Sequence, residues 1–388
     1  MLSIAPLARL EALQARLCEA IAAVDDETCR AQFHPALSPL GWHLRHCAFI
    51  EALWIREVAQ GDASLTAPLH DLYLPWRAPR EKRGGQLLAR EKLLEWTRGV
   101  MAENLDRLAA LLDEDGAGAP LDGGYIADFL INHHAQHIET AAMVLTERAL
   151  ARGAGGVTAA APAATRPDPA WRRVAAGTFQ IGRDGGFGFD NESPALRAAL
   201  PEFSIAAHPV TNAEYLAFMA DGGYETPAWW RDSAWAWRKR VDAGHPHHWR
   251  AGANGAWLAF GPNGPAALDG AAAVHGLSRF EAGAFARWAG ARLPHEYEWE
   301  AARRLGLLDG VGGAWEWCAN PFHPYPGFQA FPYREYSAPW YDGRHFVLRG
   351  GGAHTEPEIK RPAFRNFYTA ECRHIFAGLR LARYTSEH

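Results

Sequence analysis

Two histidines lie four positions apart within an apolar helical pattern. His133 and His137 share a seam with Leu130 and Val144, and spacings of three and four residues mark the buried face of a helix. Residues four apart lie one above the other on a helix, so both imidazoles can point to one metal ion. A hydrogen-bonded pair of core histidines explains the same spacing. His134 is rotated from the seam by about 100°, and we expect it at the rim.

A third histidine occurs in another predicted helix. Ser38 and Pro39 predict where this helix starts, as a capping residue followed by proline in the first turn. His46 then lies on its apolar seam. Three unpaired imidazoles in a bundle core would each cost about 1 to 3 kcal/mol. A metal ion shared by His46, His133 and His137 removes that cost, although three histidines suit zinc as well as iron.

The composition is that of a globular protein with a small-molecule partner. The chain has 388 residues, of which 48% are hydrophobic and 21% charged, and its net charge is -5. This balance argues against nucleic-acid and membrane partners. Five scattered cysteines without a CxxC pair favour a reducing cytoplasm. No apolar run reaches the roughly 18 residues of a membrane span, and the first segment predicts an amphipathic helix instead of a targeting peptide.

The chain divides into a helical part and an α+β part. Residues 1–150 carry the patterns of a four-helix bundle, and the Ala/Gly/Pro-rich residues 151–169 predict a linker. Residues 170–388 alternate short apolar runs with turns and are rich in tryptophan, which is typical of an α+β domain with aromatic packing. Within that domain, residues 212–220 and 278–289 predict helices.

A long connection joins the second and third helices of the first part. It reads LHDLYLPWRAPREKRGGQLLARE and interleaves aromatic and basic side chains, among them Tyr73, Trp76, Arg80 and Arg83. Long loops in compact domains are usually functional or disordered. The segment therefore predicts the wall of a pocket for an anionic or polyhydroxy ligand, with a solvated basic loop as the alternative.

The second part resembles the formylglycine-generating-enzyme (sulfatase-modifying factor) fold, which is C-type-lectin-like. The motifs that carry the resemblance are VAAGTFQIG (174–182), HPVTNAEYLAFMADGGY (208–224), ARWAGARLPHEYEWEAA (286–302) and AWEWCAN (314–320). The paired copper-binding cysteines of true formylglycine-generating enzymes have no counterpart in this sequence. We therefore expect the fold without its founding activity.

The first part resembles the DinB-like four-helix bundles through SPLGWHLRH and HHAQHIET. A DinB-like bundle followed by a formylglycine-generating-enzyme-like domain is the arrangement of the nonheme iron sulfoxide synthases. That family acts in the ergothioneine, ovothiol and selenoneine pathways. The resemblance implies an Fe(II) cofactor, dioxygen and hercynine as substrates, and an active site where the two domains meet.

Site residues follow from the resemblance, position by position. His46, His133 and His137 would be the iron ligands. Gln136 and Asn366 fall where the family contacts the trimethylammonium group of hercynine. A quaternary ammonium has no N–H to donate, so its recognition requires aromatic faces and carbonyl dipoles.

Further residues complete this predicted site. Phe367 and Tyr368 are aromatic neighbours suited to the trimethylammonium group. Arg80 and Arg83 resemble the pair that holds the carboxylate of the sulfur donor in ergothioneine synthases. Tyr73 is the predicted catalytic residue, as a proton or electron donor.

Departures from the family concern the donor. Where the ergothioneine synthases have the motif RNWD followed by two arginines, this chain has Arg365-Asn366-Phe367-Tyr368 and then Cys372-Arg373. An acid and one arginine of those enzymes are therefore missing. Gln329 aligns with their catalytic tyrosine, near the segment 332–336. A less charged pocket suits a selenosugar better than a peptide, and we therefore expect a selenoneine synthase.

Three alternatives stay open at this point. The first is an ergothioneine sulfoxide synthase that uses cysteine or γ-glutamylcysteine. The second, of another class, is a zinc-dependent thiol transferase, because DinB-like bundles with a histidine triad also occur in such enzymes. The third is a noncatalytic binding protein, because the second fold is related to C-type lectins.

Overall fold

Contacts divide the chain into two compact units. The computed structural model describes residues 4–113, 123–185, 188–331 and 334–384. The first unit consists of Met1–Ala151 and His354–Ile359, and the second of Arg152–Ala353 and Lys360–His388. The boundaries inferred above follow composition, whereas this division follows contacts. It assigns a short segment from late in the chain to the helical unit.

The first unit is helical, and the expected bundle of four long helices is confirmed. Its helices are α1 (Ile4–Ala22), α2 (Asp26–Arg30), α3 (Leu40–Ala52), α4 (His70–Tyr73), α5 (Arg90–Asp113) and α6 (Gly123–Arg152). Helix α3 continues as a π-helix over Leu53–Ala59. Helix α5 packs against α1 and α3, and each described helix is too short or too polar to span a lipid bilayer.

Helix α3 starts differently from the sequence prediction. Its N-cap is Pro39, and no side chain caps its first turn. The prediction that Ser38 caps the helix is wrong, because its hydroxyl instead accepts a hydrogen bond from Arg83 Nη1 at 2.5 Å. Ser38 therefore ties the connection to the start of α3 instead of capping the helix.

Ion pairs hold the segment His354–Ile359 in the helical unit. Arg9 on α1 donates to Glu358 at 2.5 and 2.8 Å and to Glu356 at 3.0 Å. Arg16, two turns further along the same face of α1, donates to Glu356 at 2.5 Å. These partners are more than 300 positions apart, so no local sequence pattern predicts the contact.

The described residues of the second unit form four small sheets. Its strands are β1 (Trp171–Val174), β2 (Gly177–Ile181), β3 (Leu196–Leu200), β4 (Phe203–Ala206), β5 (Trp249–Ala251), β6 (Trp257–Gly261), β7 (Gly264–Ala267), β8 (Trp315–Pro321), β9 (His345–Arg349), β10 (Asn366–Thr369), β11 (Ala377–Gly378) and β12 (Ala382–Tyr384). The sheet orders are β1-β4-β12, β10-β9-β8-β11, β2-β3 and β5-β6-β7. All pairings are antiparallel except that of β8 with β11.

Four α-helices accompany these sheets in the part of the unit that the structure describes. The two predicted ones are confirmed as α7 (Asn212–Ala220) and α9 (Arg279–Trp288), and the structure adds α8 (Asp232–Val241) and α10 (Glu296–Arg304). Helix α10 was missed because the carboxylates of Glu296 and Glu300 are buried beside Trp299 and Ala302 and interrupt the apolar pattern. Glu296 pairs with the buried guanidinium groups of Arg349 and Arg365 at 2.6 and 2.8 Å.

Candidate metal centre

The three predicted histidines meet in the core of the helical unit. His46 projects from α3, and His133 and His137 project from α6. One ring nitrogen of each lies within 4.8 Å of the others. The Nε2 atoms of His46 and His133 are 3.3 Å apart, so these two rings direct Nε2 toward a common point. His46 and His133 are buried, and His137 retains partial exposure.

The outer side of His46 is fixed by its surroundings. Its Nδ1 lies 2.8 Å from the backbone carbonyl oxygen of Tyr73 and donates a proton to it. The ring stacks on Trp42, with centroids 4.5 Å apart and an interplanar angle of 10°. Because Nδ1 carries the proton, Nε2 presents its lone pair inward, as a metal ligand requires.

Burial keeps the three imidazoles neutral. Desolvation, against a smaller raising effect of the Tyr73 carbonyl, lowers the pKa of His46 to about 3. Burial and the neighbouring imidazoles hold the pKa values of His133 and His137 well below the ordinary histidine value. All three rings are therefore uncharged at neutral pH. Three neutral imidazoles on one side of a point fit a divalent transition-metal ion and leave further positions for small ligands.

A second cluster shares His133 with this one. Cys47, His133 and His134 also have one potential ligand atom each within 4.8 Å of the others. All three are buried, and His134 Nε2 already lies 2.8 Å from Glu51 Oε1. A metal in this cluster would have to displace that contact, so the open triad is the better candidate site.

His134 does not lie at the rim, and that prediction is wrong. The residue is 0% exposed, and its Nδ1 lies 2.9 Å from the carbonyl oxygen of Leu130. Glu51, which it contacts through Nε2, also accepts hydrogen bonds from Gln14 at 2.9 Å and Asn104 at 3.1 Å. Helix α6 is buried on this second face as well, because α3 covers it there.

His43 is a further histidine of the cluster that the sequence analysis missed. It lies one turn before His46 on α3, and its Nδ1 is 3.0 Å from Nδ1 of His137. Residues three apart share a helix face, so the motif SPLGWHLRH contained the signal. His43 is buried, and its Nε2 has no hydrogen-bond partner among the described residues.

Tyr73 meets the triad through its backbone. Its carbonyl accepts from His46, whereas its ring lies beside the guanidinium of Arg45, 5.2 Å from the ring centre. Arg45 lies 4.3 Å over the ring of Trp96 on its other side. Burial raises the pKa of the Tyr73 phenol, against a smaller opposite effect of Arg45. The catalytic role of Tyr73 stays a prediction.

The two arginines predicted to bind the donor differ in their surroundings. Arg83 is 4% exposed and donates to the carbonyl oxygens of Ala78 at 2.8 and 3.0 Å and of Pro75 at 2.9 Å, besides Ser38. Its guanidinium also lies 3.9 Å over the Trp42 ring. Arg80 is exposed on a neighbouring turn. Arg83 thus fastens the connection to α3.

This difference predicts unequal effects of the two arginines on the free energy of unfolding. We expect Arg83→Met to lower the free energy of unfolding by about 3 kcal/mol, because several charge-assisted hydrogen bonds are lost at once. We expect Arg80→Met, the matched control, to change it by less than about 0.5 kcal/mol. Urea unfolding followed by far-UV circular dichroism measures both. Equal effects of the two substitutions would contradict a structural role for Arg83.

The predicted substrate contacts are distributed over both units. Gln136 precedes His137 on α6 and is half-buried. Asn366, Phe367 and Tyr368 lie on β10, where successive side chains point to opposite faces. Phe367 stacks on Phe322 with centroids 4.2 Å apart. Asn366 and Tyr368 therefore share the other face of the strand.

The arginines of the predicted donor region are engaged within the second unit. Arg365 binds Glu296 through two hydrogen bonds of 2.8 and 2.9 Å. Arg373 binds Glu281 in the same way, at 2.8 and 3.0 Å. Gln329 is exposed. Residues 332 and 333 of the segment aligned with the family's tyrosine lie outside the described residues.

Comparisons with known proteins match both units. Residues 9–141 match the DinB superfamily, and residues 157–305 and 302–385 match the sulfatase-modifying factor enzyme 1-like domain. In an alignment 428 positions long, the chain is 34% identical to a hercynine oxygenase of Mycobacterium tuberculosis, and 97% of each chain is covered. It is 33% identical to that of Mycolicibacterium smegmatis, covering 92% of this chain and 94% of the relative. A segment is 25% identical to ergothioneine biosynthesis protein 1 of Schizosaccharomyces pombe, covering 51% of this chain and 28% of that protein.

Fold and site together define the class: a DinB-like bundle with a buried histidine triad, joined to a sulfatase-modifying-factor-like domain. The match to two relatives over more than nine-tenths of their length narrows the class of protein further. The chain belongs to the hercynine oxygenase family and is an oxidoreductase-type enzyme.

Proposed function

We propose that this chain is a nonheme iron(II) enzyme that uses dioxygen to join selenium or sulfur to the imidazole ring carbon of hercynine, with a selenosugar as the preferred donor. The observation that carries the proposal is the triad of neutral imidazoles in a chain related over 97% of its length to a hercynine oxygenase. In the balanced reaction, the ring C–H and the selenol each lose a hydrogen. One oxygen atom leaves as water, and the other ends on selenium.

His46, His133 and His137 are the proposed ligands. Iron(II) bound there would hold the ring, the donor and dioxygen in proximity and supply electrons to dioxygen. The choice of iron over zinc rests on the family, because three histidines suit both metals. The contribution of the chain is to keep the rings neutral and to fix His46 through the Tyr73 carbonyl and Trp42.

Recognition of hercynine is proposed for groups that can face a quaternary ammonium. Gln136 lies beside His137 in sequence, which supports a contact close to the triad. Asn366 and Tyr368 offer an amide and an aromatic face on the same side of β10. Phe367 would contribute its ring edge, because its face already stacks on Phe322. Tyr73 would supply a proton, since burial keeps its phenol protonated.

The proposed donor is an uncharged selenosugar. An amino-acid donor needs a guanidinium fork for its carboxylate. The guanidinium groups of Arg83, Arg365 and Arg373 are already engaged by carbonyl or carboxylate oxygens of the chain. Of the arginines considered for this role, Arg80 alone is exposed. This arrangement supports a donor with hydroxyl groups over one with a carboxylate.

The test is aerobic turnover of the iron-loaded full chain with hercynine and one donor at a time: a selenosugar selenol, γ-glutamylcysteine or cysteine. We expect product with the selenosugar, detected by mass spectrometry, with one oxygen atom from ¹⁸O₂ incorporated. Activity with the peptide alone would overturn the selenium assignment but leave the hercynine reaction intact. We expect Arg80→Met to leave the KM for the selenosugar unchanged.

The zinc-dependent thiol transferase is distinguished by its requirements. Such an enzyme needs neither dioxygen nor a redox-active metal. Full activity of the zinc-loaded chain under anaerobic conditions would contradict the oxidative mechanism as a whole.

If the chain is instead a noncatalytic binding protein, removal of the metal should leave hercynine binding unaffected. Calorimetry on the metal-free protein measures this directly.

A further inference from the structure

His43 lies within hydrogen-bond distance of His137, a member of the triad. The two Nδ1 atoms are 3.0 Å apart, and the ring centroids are 5.1 Å apart with an angle of 47° between the planes. Two imidazole nitrogens at this distance share one proton, so one of them donates and the other accepts. The ring of Trp42 packs edge-on against His43 at 5.5 Å and restricts its rotation.

The direction of this hydrogen bond decides whether His137 can bind a metal. If His43 donates, His137 must carry its proton on Nε2, which leaves no lone pair on that atom for a metal. If His137 donates from Nδ1, its Nε2 is free for the metal, and His43 must carry its own proton on Nε2. Metal binding at the triad through Nε2 therefore requires one particular tautomer of both rings.

The geometry assigns the nitrogen of His43 that takes part. Its Nδ1 is the atom 3.0 Å from Nδ1 of His137. When His43 accepts there, the single proton of its neutral ring lies on Nε2.

We infer that His43 is a positioning residue, which accepts a hydrogen bond from Nδ1 of His137 and thereby holds Nε2 of His137 in the metal-binding form. The inference rests on the proposed metal centre. The Tyr73 carbonyl performs the same task for His46. A metal-binding histidine generally donates its second N–H to such a partner, and loss of the partner weakens metal binding roughly 10- to 100-fold.

The experiment measures zinc affinity, because zinc reports binding without turnover. Competition with a chromophoric chelator is applied to the full chain and to His43→Leu, His43→Asn and His34→Leu. We expect His43→Leu to bind zinc roughly 10- to 100-fold more weakly. His43→Asn places an amide oxygen near the former Nδ1 position and should recover most of the affinity. His34 accepts from the Ala36 backbone in a turn, and His34→Leu should match the unsubstituted chain.

A second measurement avoids substitutions altogether. In ¹H–¹⁵N spectra of the zinc-loaded, unsubstituted chain, we expect His137 to carry its proton on Nδ1 and His43 on Nε2. A proton on Nε2 of His137, or unchanged zinc affinity of a folded His43→Leu variant, would overturn the inference. Failure of the unsubstituted chain to bind zinc or iron would instead refute the metal centre itself, so the two failures are distinguishable.

Discussion

Replacing His133 with leucine is expected to abolish tight metal binding and activity while leaving the metal-free protein as stable as before. Loss of a direct ligand should cost more than the roughly 10- to 100-fold expected for an outer partner. His133 Nδ1 is a buried polar atom with no hydrogen-bond partner among the described residues. An apolar side chain of similar size removes this unsatisfied group, so the free energy of unfolding should stay within about 1 kcal/mol.

The adjacent residue, His134, provides a control with the converse expected result, in which metal binding is kept and stability is lost. His134→Leu leaves the three proposed ligands in place but removes the buried partner of Glu51. Removing the Nε2 contact of that buried carboxylate should lower the free energy of unfolding by about 1 to 3 kcal/mol. Denaturant unfolding of the metal-free variants, with metal content by mass spectrometry after reloading at low temperature, separates the two. Tight metal binding by His133→Leu would contradict the triad.

The second large effect is expected at Glu296 in the second unit. Its carboxylate pairs with Arg349 and Arg365, both fully buried, and also accepts from Asn320 at 3.0 Å. Glu296→Gln leaves two buried cations without this partner. We expect a loss of about 3 to 5 kcal/mol in the free energy of unfolding. Glu202→Gln, which alters a partly exposed pair with Arg173, should change it by less than about 0.5 kcal/mol.

The contacts of Glu296 with Arg349 and Arg365 also predict how the free energy of unfolding depends on pH. Burial alone would raise the pKa of Glu296, but Arg365 and Arg349 outweigh it and lower the pKa to about 2 from 4.5. A lowered pKa means that the stabilisation is fully present above about pH 4.5. It decreases as the pH falls toward 2, by about 3 kcal/mol in total. Glu296→Gln should lack this decrease, and parallel acid slopes of the two proteins would refute the assignment.

The helical unit was largely predictable because its signals are local. A period of 3.6 residues in the apolar pattern identified the long helices, and the i, i+4 spacing of His133 and His137 placed both rings on one face. The structure adds that His46 Nε2 reaches to 3.3 Å from that of His133. Their role as ligands remains a proposal. The sequence supplies the residue types and the spacing, which are the local part of such a site.

Residues with buried polar contacts were the ones predicted wrongly or missed. His134 was expected at the rim, but α3 covers that face of α6 and supplies Glu51. Ser38 was expected to cap α3, but Arg83 takes its hydroxyl. Helix α10 was missed because buried, paired carboxylates interrupt its apolar pattern. In each case a partner distant in sequence satisfies the polar group, and no local pattern records which partner that is.

The sequence by itself determined the two-part fold and brought three histidines to one site, because helix periodicity and residue type are properties of short segments. Only the tertiary structure decided which nitrogen of His46 faces inward, because the Tyr73 carbonyl accepts from its Nδ1. The tertiary structure also placed His43 within 3.0 Å of His137. It likewise decided that Arg83 fastens the connection instead of facing a ligand. Hydrogen-bond partners of buried groups are set by which surfaces pack together, and packing is a property of the whole chain.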